Sequence, residues 1–347
     1  MLYACIALIL FAGVVFSQRN KVSGKAAFVI FAFAVLFLYS ALRDPSLSGD
    51  LKSYVSRFDG YSSYSFNQII SLYDSGIKSP TYHVLGWIFS RVFPYSQAWV
   101  AFLAAIYLIV VSVIIFTESE KPVLSYIMFL SLGFFAFSLT GMRQTVAMAI
   151  TTLAFYAIRD RKPIRFVLLV LFASLFHASA IIFIIIYPLA RRKLGLLHLA
   201  IVGGMFSLFF FGQSLVREWI AIAFEDSYLS GYAKHEATLT VSGFVIQAVM
   251  FVFALSYYRR VIAKNANAII LFNLCFIGLM FQLFSSMVAE AFRVSMYFSF
   301  FNILLIPLCI NAEKDYQIKA YETVFIPIIF ILYLVTKGLP EYQFFWL

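Results

Sequence analysis

An all-α, polytopic transmembrane bundle of about 10–12 membrane helices is the fold class this sequence predicts. Three observations carry that expectation. Of the 347 residues, 63% are hydrophobic, 19% aromatic and 12% charged, a balance that a water-soluble core of this length cannot wrap. Apolar runs of the length a bilayer crossing needs, about 20 residues, recur along the chain. Finally, Arg19/Lys21/Lys25, Arg159/Arg161/Lys162/Arg165, Arg191/Arg192/Lys193 and Arg259/Arg260/Lys264 occupy short gaps between these runs. They fall on one common side, as the positive-inside rule requires. That rule accounts for most of the net charge of +10 and leaves nothing to assign to a nucleic-acid partner.

In chain order the expected spans are 2–17, 26–42, 98–116, 123–139, 144–158, 166–176, 179–190, 195–213, 241–258, 267–285, 293–310 and 323–336, within a single integral membrane domain over 1–347. Met1 to Phe16 lacks a basic leader and a small-residue cleavage site and precedes basic residues, the reverse of a signal peptide, so it reads as a retained helix. Residues 43–97 form an outer loop carrying two amphipathic helices: Phe66, Ile69, Ile70 and Tyr73, then Leu85, Ile88, Phe89 and Val92, follow i, i+3, i+4, i+7 spacing. With Trp87, Tyr82 and Tyr95 as an aromatic belt, these helices are expected to lie along the outer interface and roof a cavity that a lipid-borne head group enters sideways. Residues 166–190 are too short for two crossings at 1.5 Å per residue, yet basic clusters at both ends ask for an even number. A re-entrant pair broken near His177 meets both demands, whereas a single tilted span, the alternative, would flip everything downstream and put two basic clusters outside. Residues 214–240 form a second outer loop, whose Asp226 to Glu236 stretch, with Tyr228, Tyr232 and His235, suits stacking on a saccharide.

Val123 to Ile158 spans 36 residues in which Arg143 is the one charge. An arginine at membrane depth costs roughly 2.5–3.5 kcal/mol and normally faces a polar cavity or an anion. In the layout above, Arg43, Asp50, Arg143, Gln144, Glu290 and Arg293 all fall at outer membrane edges, so one face carries the chemistry. Simpler roles compete for each. Arg43 and Asp50 can tie down a loop, Arg143 can pair with Glu290, Glu290 and Arg293 can neutralise each other three residues apart, and His177 can satisfy backbone exposed at a helix break. The three cysteines, Cys5, Cys275 and Cys309, lie in apolar runs with no paired spacing. No carboxylates stand at magnesium spacing and no Gly-rich phosphate loop occurs, so neither metal nor cofactor is expected.

Several of these residues recur in a pattern. Arg43, Gly49, Asp50, Tyr54 and Phe58 form one group, and Gly141-Met142-Arg143-Gln144 with Val146, Ala147 and Ala149 a second. Phe176-His177-Ala178-Ser179-Ala180 is the third, and Arg293 with Tyr297 and Phe298 the fourth, before a close on Pro340, Tyr342 and Phe344 to Trp346. In this order they resemble the EpsG-like family of Wzy-type bacterial polysaccharide polymerases over nearly the whole chain. Where many such proteins carry an acidic residue before a turn near residue 80, Lys78-Ser79-Pro80 stands here, and the resemblance supplies no carboxylate at that point.

The resemblance implies an enzyme of the bacterial cytoplasmic membrane that joins undecaprenyl-pyrophosphate-linked oligosaccharide repeat units on the outer leaflet, for O-antigen, capsule or exopolysaccharide. It further implies membrane lipid, a chain-length regulator and a flippase as partners. Such a reaction needs a departing diphosphate stabilised and an acceptor hydroxyl deprotonated. Guanidinium groups suit the first task, since they are permanently charged and grip two phosphate oxygens at once; Arg143 and Arg293 are the first choices and Arg43 the next. For the base, Asp50, Glu290 and His177 qualify, Asp50 by its motif and His177 by its ordinary pKa. Gln144, Glu290, Tyr54 and Tyr297 are expected to hold the substrate. A transporter or flippase of the same lipid-linked glycan is a second reading, although no internal repeat of the kind transporters show is visible. A membrane acyltransferase acting on surface glycans is a third, and an ion channel, lacking rings of carboxylates, the weakest.

Overall fold

The computed structural model describes residues 1–17, 21–74, 79–212, 214–215, 242–287, 289–337 and 341–346. Among the described residues the chain is helical throughout, apart from an isolated antiparallel bridge between Arg43 and Phe344. Six helices among the described residues are long and apolar enough to cross a membrane: Val22–Ala41, Ser96–Glu118, Ser242–Lys264, Ala266–Ser286, Ala291–Ala312 and Tyr316–Lys337. This is a multi-pass membrane protein. Its residues form two compact units, Met1–Ile184 with Glu313–Leu347, and Ile185–Ala312.

The first unit holds α1 (Leu2–Ser17), α2 (Lys21–Ala41), α3 (Gly49–Tyr61), α4 (Phe66–Asp74), α5 (Pro80–Val92), α6 (Ser96–Glu118), α7 (Pro122–Ser131), α8 (Phe134–Ser138), α9 (Met142–Arg159) and α10 (Pro163–Phe176). A later helix, Tyr316–Lys337, packs on α7. At the centre runs α9, against α6 and α10. It buries Ala147, Ala149, Ala154 and Ala157 together with Thr151 and Thr152. Small side chains let the neighbours approach, and the threonine hydroxyl of Thr151 returns to the Met148 carbonyl, so a helix enclosed by protein tolerates polar residues that a lipid-facing one would not.

The expected single span at 123–139 is instead broken into α7 and α8. Leu132 ends the first piece and Gly133 takes φ +84°, a left-handed conformation open to glycine at little cost. Periodicity cannot reveal that break, because the residues on both sides are equally apolar. The outer-loop helices expected at 66–73 and 85–92 are α4 and α5, and the loop holds one more, α3, over Asp50, Tyr54 and Phe58. Short polar helices of this kind leave a weak apolar signal. In α5 the residues turned inward are Tyr82, His83, Gly86 and Ser90, while Ile88 and Val92 of the apolar stripe stay exposed.

At His177 the chain leaves α10 in an extended conformation and re-enters a 3-10 segment, Ala178–Ile185. Phe166, in the first turn of α10, meets Phe183, with ring centroids 6.1 Å apart and both rings fully buried. Seventeen residues of continuous helix would separate them by about 25 Å. The segment therefore folds back on itself at His177, as a broken pair of half-helices would.

The second unit comprises α11 (Ile186–Leu189), α12 (Leu196–Phe211), α13 (Ser242–Lys264), α14 (Ile269–Leu283), α15 (Ala289–Ser299) and α16 (Asn302–Ala312); Tyr316–Lys337 is α17. Here α14 is the enclosed helix, packed by α13, α15 and α16. Asn273 ties its start to the preceding chain: its amide donates to the carbonyls of Ala190, Arg192 and Ile269 at 2.9–3.1 Å, and its oxygen meets His198 Nε2 at 2.7 Å. With its amide nitrogen committed to three acceptors, the Asn273 oxygen must accept, so His198 carries its proton on Nε2 and accepts from the Gly195 amide on Nδ1.

Candidate functional site

Hydrogen bonds sort the two ends of the first unit. At one end Lys25 Nζ donates to the Ser119 carbonyl at 2.7 Å, Arg159 pairs with Glu118 at 2.8 Å and with Asp160 at 3.1 Å, and Lys121 Nζ donates to Thr323 at 3.0 Å. This end carries the loop Arg159/Arg161/Lys162/Arg165. At the other end, Gln97 in the first turn of α6 donates to the carbonyls of Ala41 and Arg43, joining the α6 start to the α2 end. Antiparallel pairing of α9 with α10 brings Arg143 and His177 to this same end, beneath α3, α4 and α5.

Arg143 stands at the second position of α9. Its Nε donates to Tyr54 Oη at 3.4 Å, and its guanidinium lies 5.5 Å from the Tyr54 ring and 6.0 Å from the Tyr82 ring. Tyr54 comes from α3 and Tyr82 from α5, so these helices wall the arginine with aromatic faces, which attract a cation electrostatically. Asp50 precedes Tyr54 by one helical turn in α3 and is exposed. Below the tyrosines lies an aromatic floor. Tyr82 Oη accepts from Trp99 Nε1 at 3.1 Å, and Phe58 stacks on Trp99 at 5.4 Å. Tyr61 Oη is hydrogen-bonded to His83 Nδ1. Burial pushes the Tyr61 and Tyr82 hydroxyls well above the ordinary phenol pKa, although Arg57 and Arg143 pull Tyr61 the other way and Arg143 does the same to Tyr82.

Gly141 caps α9 without a side-chain hydrogen bond to the first turn. A Cβ on it would come within 2.5 Å of the tip of the Phe137 ring, so any larger residue at the head of the Gly-Met-Arg-Gln motif requires that ring to shift. An α-helix start without a side-chain cap presents backbone N–H groups and the positive end of the helix dipole, and anions bind there readily. Arg143 adds a full charge at that point. Gln144, the next residue, is buried. His177 at the hairpin turn is half-buried, with Nδ1 2.7 Å from Ser179 Oγ, a bond that orients the ring.

Arg43 sits elsewhere at this end. Its side chain is 6% exposed, and the C-terminal segment crosses over it, with Asp44 N–H donating to the Gln343 carbonyl at 2.8 Å and Phe345 N–H to the Leu42 carbonyl at 3.1 Å. Arg293 and Tyr297 belong to the second unit, on α15, Arg293 exposed and Tyr297 buried. The side chain of Glu290, Lys78, Pro340 and the stretch Asp226 to Glu236 lie outside the described residues. The structure thus gathers Arg143 with Tyr54, near Asp50 on the same helix, and Arg43 with Tyr342. Sequence reasoning missed His83 and Tyr61 as neighbours of this site. The signal lay on the polar side of the α5 stripe, opposite Ile88 and Val92.

The chain matches the EpsG family over residues 26–346. No curated protein and no solved structure gives a significant match.

Proposed function

Because this chain belongs to the EpsG family, we propose that it is a bacterial polysaccharide polymerase. In this reading it joins undecaprenyl-pyrophosphate-linked oligosaccharide repeat units on the outer leaflet of the cytoplasmic membrane. The observation that carries the reading is Arg143 at the α9 start, which lacks a side-chain cap, walled by Tyr54 and Tyr82 beneath α3 and α5. A guanidinium at the positive end of a helix dipole is a receptor for a diphosphate, and aromatic walls suit the apolar faces of sugar rings. The end of the first unit that holds it is opposite the one rich in loop arginines and lysines, which the positive-inside rule assigns to the cytoplasm.

Chemically, a sugar on a lipid diphosphate is already activated. The bond from its anomeric carbon to the diphosphate oxygen breaks, and the electron pair leaves on the diphosphate. The acceptor hydroxyl oxygen bonds that carbon, and its proton passes to a base. Arg143 stabilises the charge developing on the leaving oxygens, the place where fixed donors help most. Asp50 and His177 are the two candidates for the base. Both belong to the Arg143 end of the first unit, Asp50 one turn from Tyr54 and His177 oriented by Ser179. Gln144 and Tyr54 contribute to holding the substrate. Arg293, with Tyr297 one turn along α15, is a second cation whose part is tested by its own variant.

The test is complementation of a strain lacking this gene, read as the length ladder of surface polysaccharide. Removing one fixed donor costs roughly 2.7–4 kcal/mol, so Arg143→Ala is expected to lower polymerisation about a hundredfold or more and to leave single capped repeat units. The base is whichever of Asp50→Asn and His177→Ala abolishes polymer. Loss of the gene with no repeat units reaching the outside identifies a flippase instead. Full-length chains missing a substituent identify an acyltransferase. Either result overturns the proposal.

A further inference from the structure

Arg43 presents an anomaly that the Arg143 site does not explain. Its guanidinium is buried, and its Nε and Nη2 have no hydrogen-bond partner among the described residues. Those two nitrogens form the side-on edge of the guanidinium, the fork that grips two oxygens of one oxyanion. Among the described residues, the titratable side chains that act on it are Tyr39 and Tyr342, and no carboxylate is among them. Tyr39 and Tyr342 stack with ring centroids 4.4 Å apart. Their hydroxyls are themselves buried without a hydrogen-bond partner among the described residues. Four buried donors therefore cluster about one cation with nothing to accept from them. Orphaned donors in a native interior are rare, and a buried unpaired charge rarer still, because each costs free energy that nothing returns. The C-terminal segment closes the arrangement. It pairs with the backbone on either side of Arg43 through the Asp44 and Phe345 amides, and it brings Tyr342 with it.

We propose that Arg43, Tyr39 and Tyr342 form an enclosed binding site for a phosphate-type oxyanion, with residues 341–346 as a strap that supplies one donor and seals the ligand in. Phosphate fits better than halide because it offers three acceptor oxygens to a two-toothed fork and two hydroxyls. The group comes either from a lipid-borne diphosphate or from a free phosphate. The inference rests on the proposed polymerase reading only for that choice of source, since binding is measured without turnover.

The experiment is hydrogen exchange on the purified full-length protein in a detergent with an uncharged head group, reading the peptides that contain Asp44 and Phe345. The probes are inorganic pyrophosphate, farnesyl diphosphate and, as the uncharged control, farnesol. Expected is slowing of both amides by about tenfold or more with a diphosphate probe and none with farnesol. Slowing by both diphosphates shows that the head group suffices, and slowing by farnesyl diphosphate alone shows a lipid-borne source; each supports the site. Arg43→Gln should abolish the response. Tyr342→Phe, which keeps the stacking ring and removes one donor to a charged group, should raise the concentration of probe needed about tenfold. The proposal is overturned if neither diphosphate slows exchange in the parent protein, or if Arg43→Gln responds as the parent does. Exchange in the Arg43→Gln protein without probe reports whether its strap is formed. Should that strap be open, the Tyr342→Phe shift decides, and an unchanged concentration dependence overturns the site.

Discussion

Replacing Arg43 by methionine should stabilise the ligand-free protein. Burial brings the Arg43 pKa from the ordinary guanidinium range down to about 10, and at about 1.4 kcal/mol per pH unit this corresponds to a cost of about 3 kcal/mol for holding the cation in the fold. The sign follows from linkage. Arginine is a base with a lower pKa in the folded state, so between about pH 10 and its ordinary pKa the unfolded chain binds more protons, and stability rises with pH there. Below about pH 10 the group stays charged in both states and the cost is borne in full. Methionine retains an unbranched apolar stem beside Tyr39 and Tyr342 and discards the charge. Exchanging buried ionic groups for apolar ones of similar volume is often neutral or stabilising by about 1–4 kcal/mol. Thermal unfolding of detergent-purified protein at pH 7.5, followed by tryptophan fluorescence, should show a midpoint several degrees higher, given about 2–4 °C per kcal/mol for units of this size. A diphosphate that binds the parent alone should narrow the difference, because ligand binding stabilises by mass action. A midpoint lowered by several degrees would refute the reasoning, for it would mean that the guanidinium contributes bonds worth more than its desolvation.

Three further outcomes follow from other parts of the molecule. Asn273→Leu removes the donor shared by the Ala190, Arg192 and Ile269 carbonyls and leaves His198 Nε2–H unmet. At about 1–3 kcal/mol for each buried group left without a partner, it should fold poorly or lose several degrees in thermal midpoint, and a midpoint within one degree of the parent would contradict the hub. Gly141→Ala places a Cβ 2.5 Å from the Phe137 ring and should depress polymer yield, with Phe137→Leu restoring it in the double variant. An unrescued loss would point to the backbone of Gly141 instead. Burial raises the Tyr61 and Tyr82 pKa values. The unfolded chain therefore begins to lose phenolic protons near pH 10 while the folded one keeps them, and the contribution of these two tyrosines to stability should be level below about pH 10 and fall above it, against the rise that Arg43 supplies. Thermal midpoints between pH 8 and 11 should decline less steeply in the Tyr61→Phe/Tyr82→Phe variant, and identical slopes would rule these two out as the cause.

Much of the architecture was legible in the residues themselves because a bilayer imposes simple rules. A crossing must be apolar and helical, and a gap between crossings shows its side by its arginines and lysines. Those rules place α6 and α14 within two residues at either end and α2, α13 and α17 with one end displaced by five to seven, and the shortness of 166–190 between two basic loops favoured the turn that Phe166 and Phe183 show. Arg143 stood out for the same reason, as a lone charge in a long apolar stretch. The sequence could not reveal what lies beside it, since contacts between helices obey packing and not composition. Tyr54 of α3 and Tyr82 of α5 approach Arg143 across the fold, and His83 meets Tyr61 from the polar side of a helix whose apolar side drew notice. The break at Gly133 was hidden in uniform hydrophobicity. Above all, the burial of Arg43 depends on a strap from the far end of the chain, roughly three hundred positions away in sequence and bonded to it through backbone amides. Backbone pairing of that kind is indifferent to side-chain identity, so tertiary structure alone decided it.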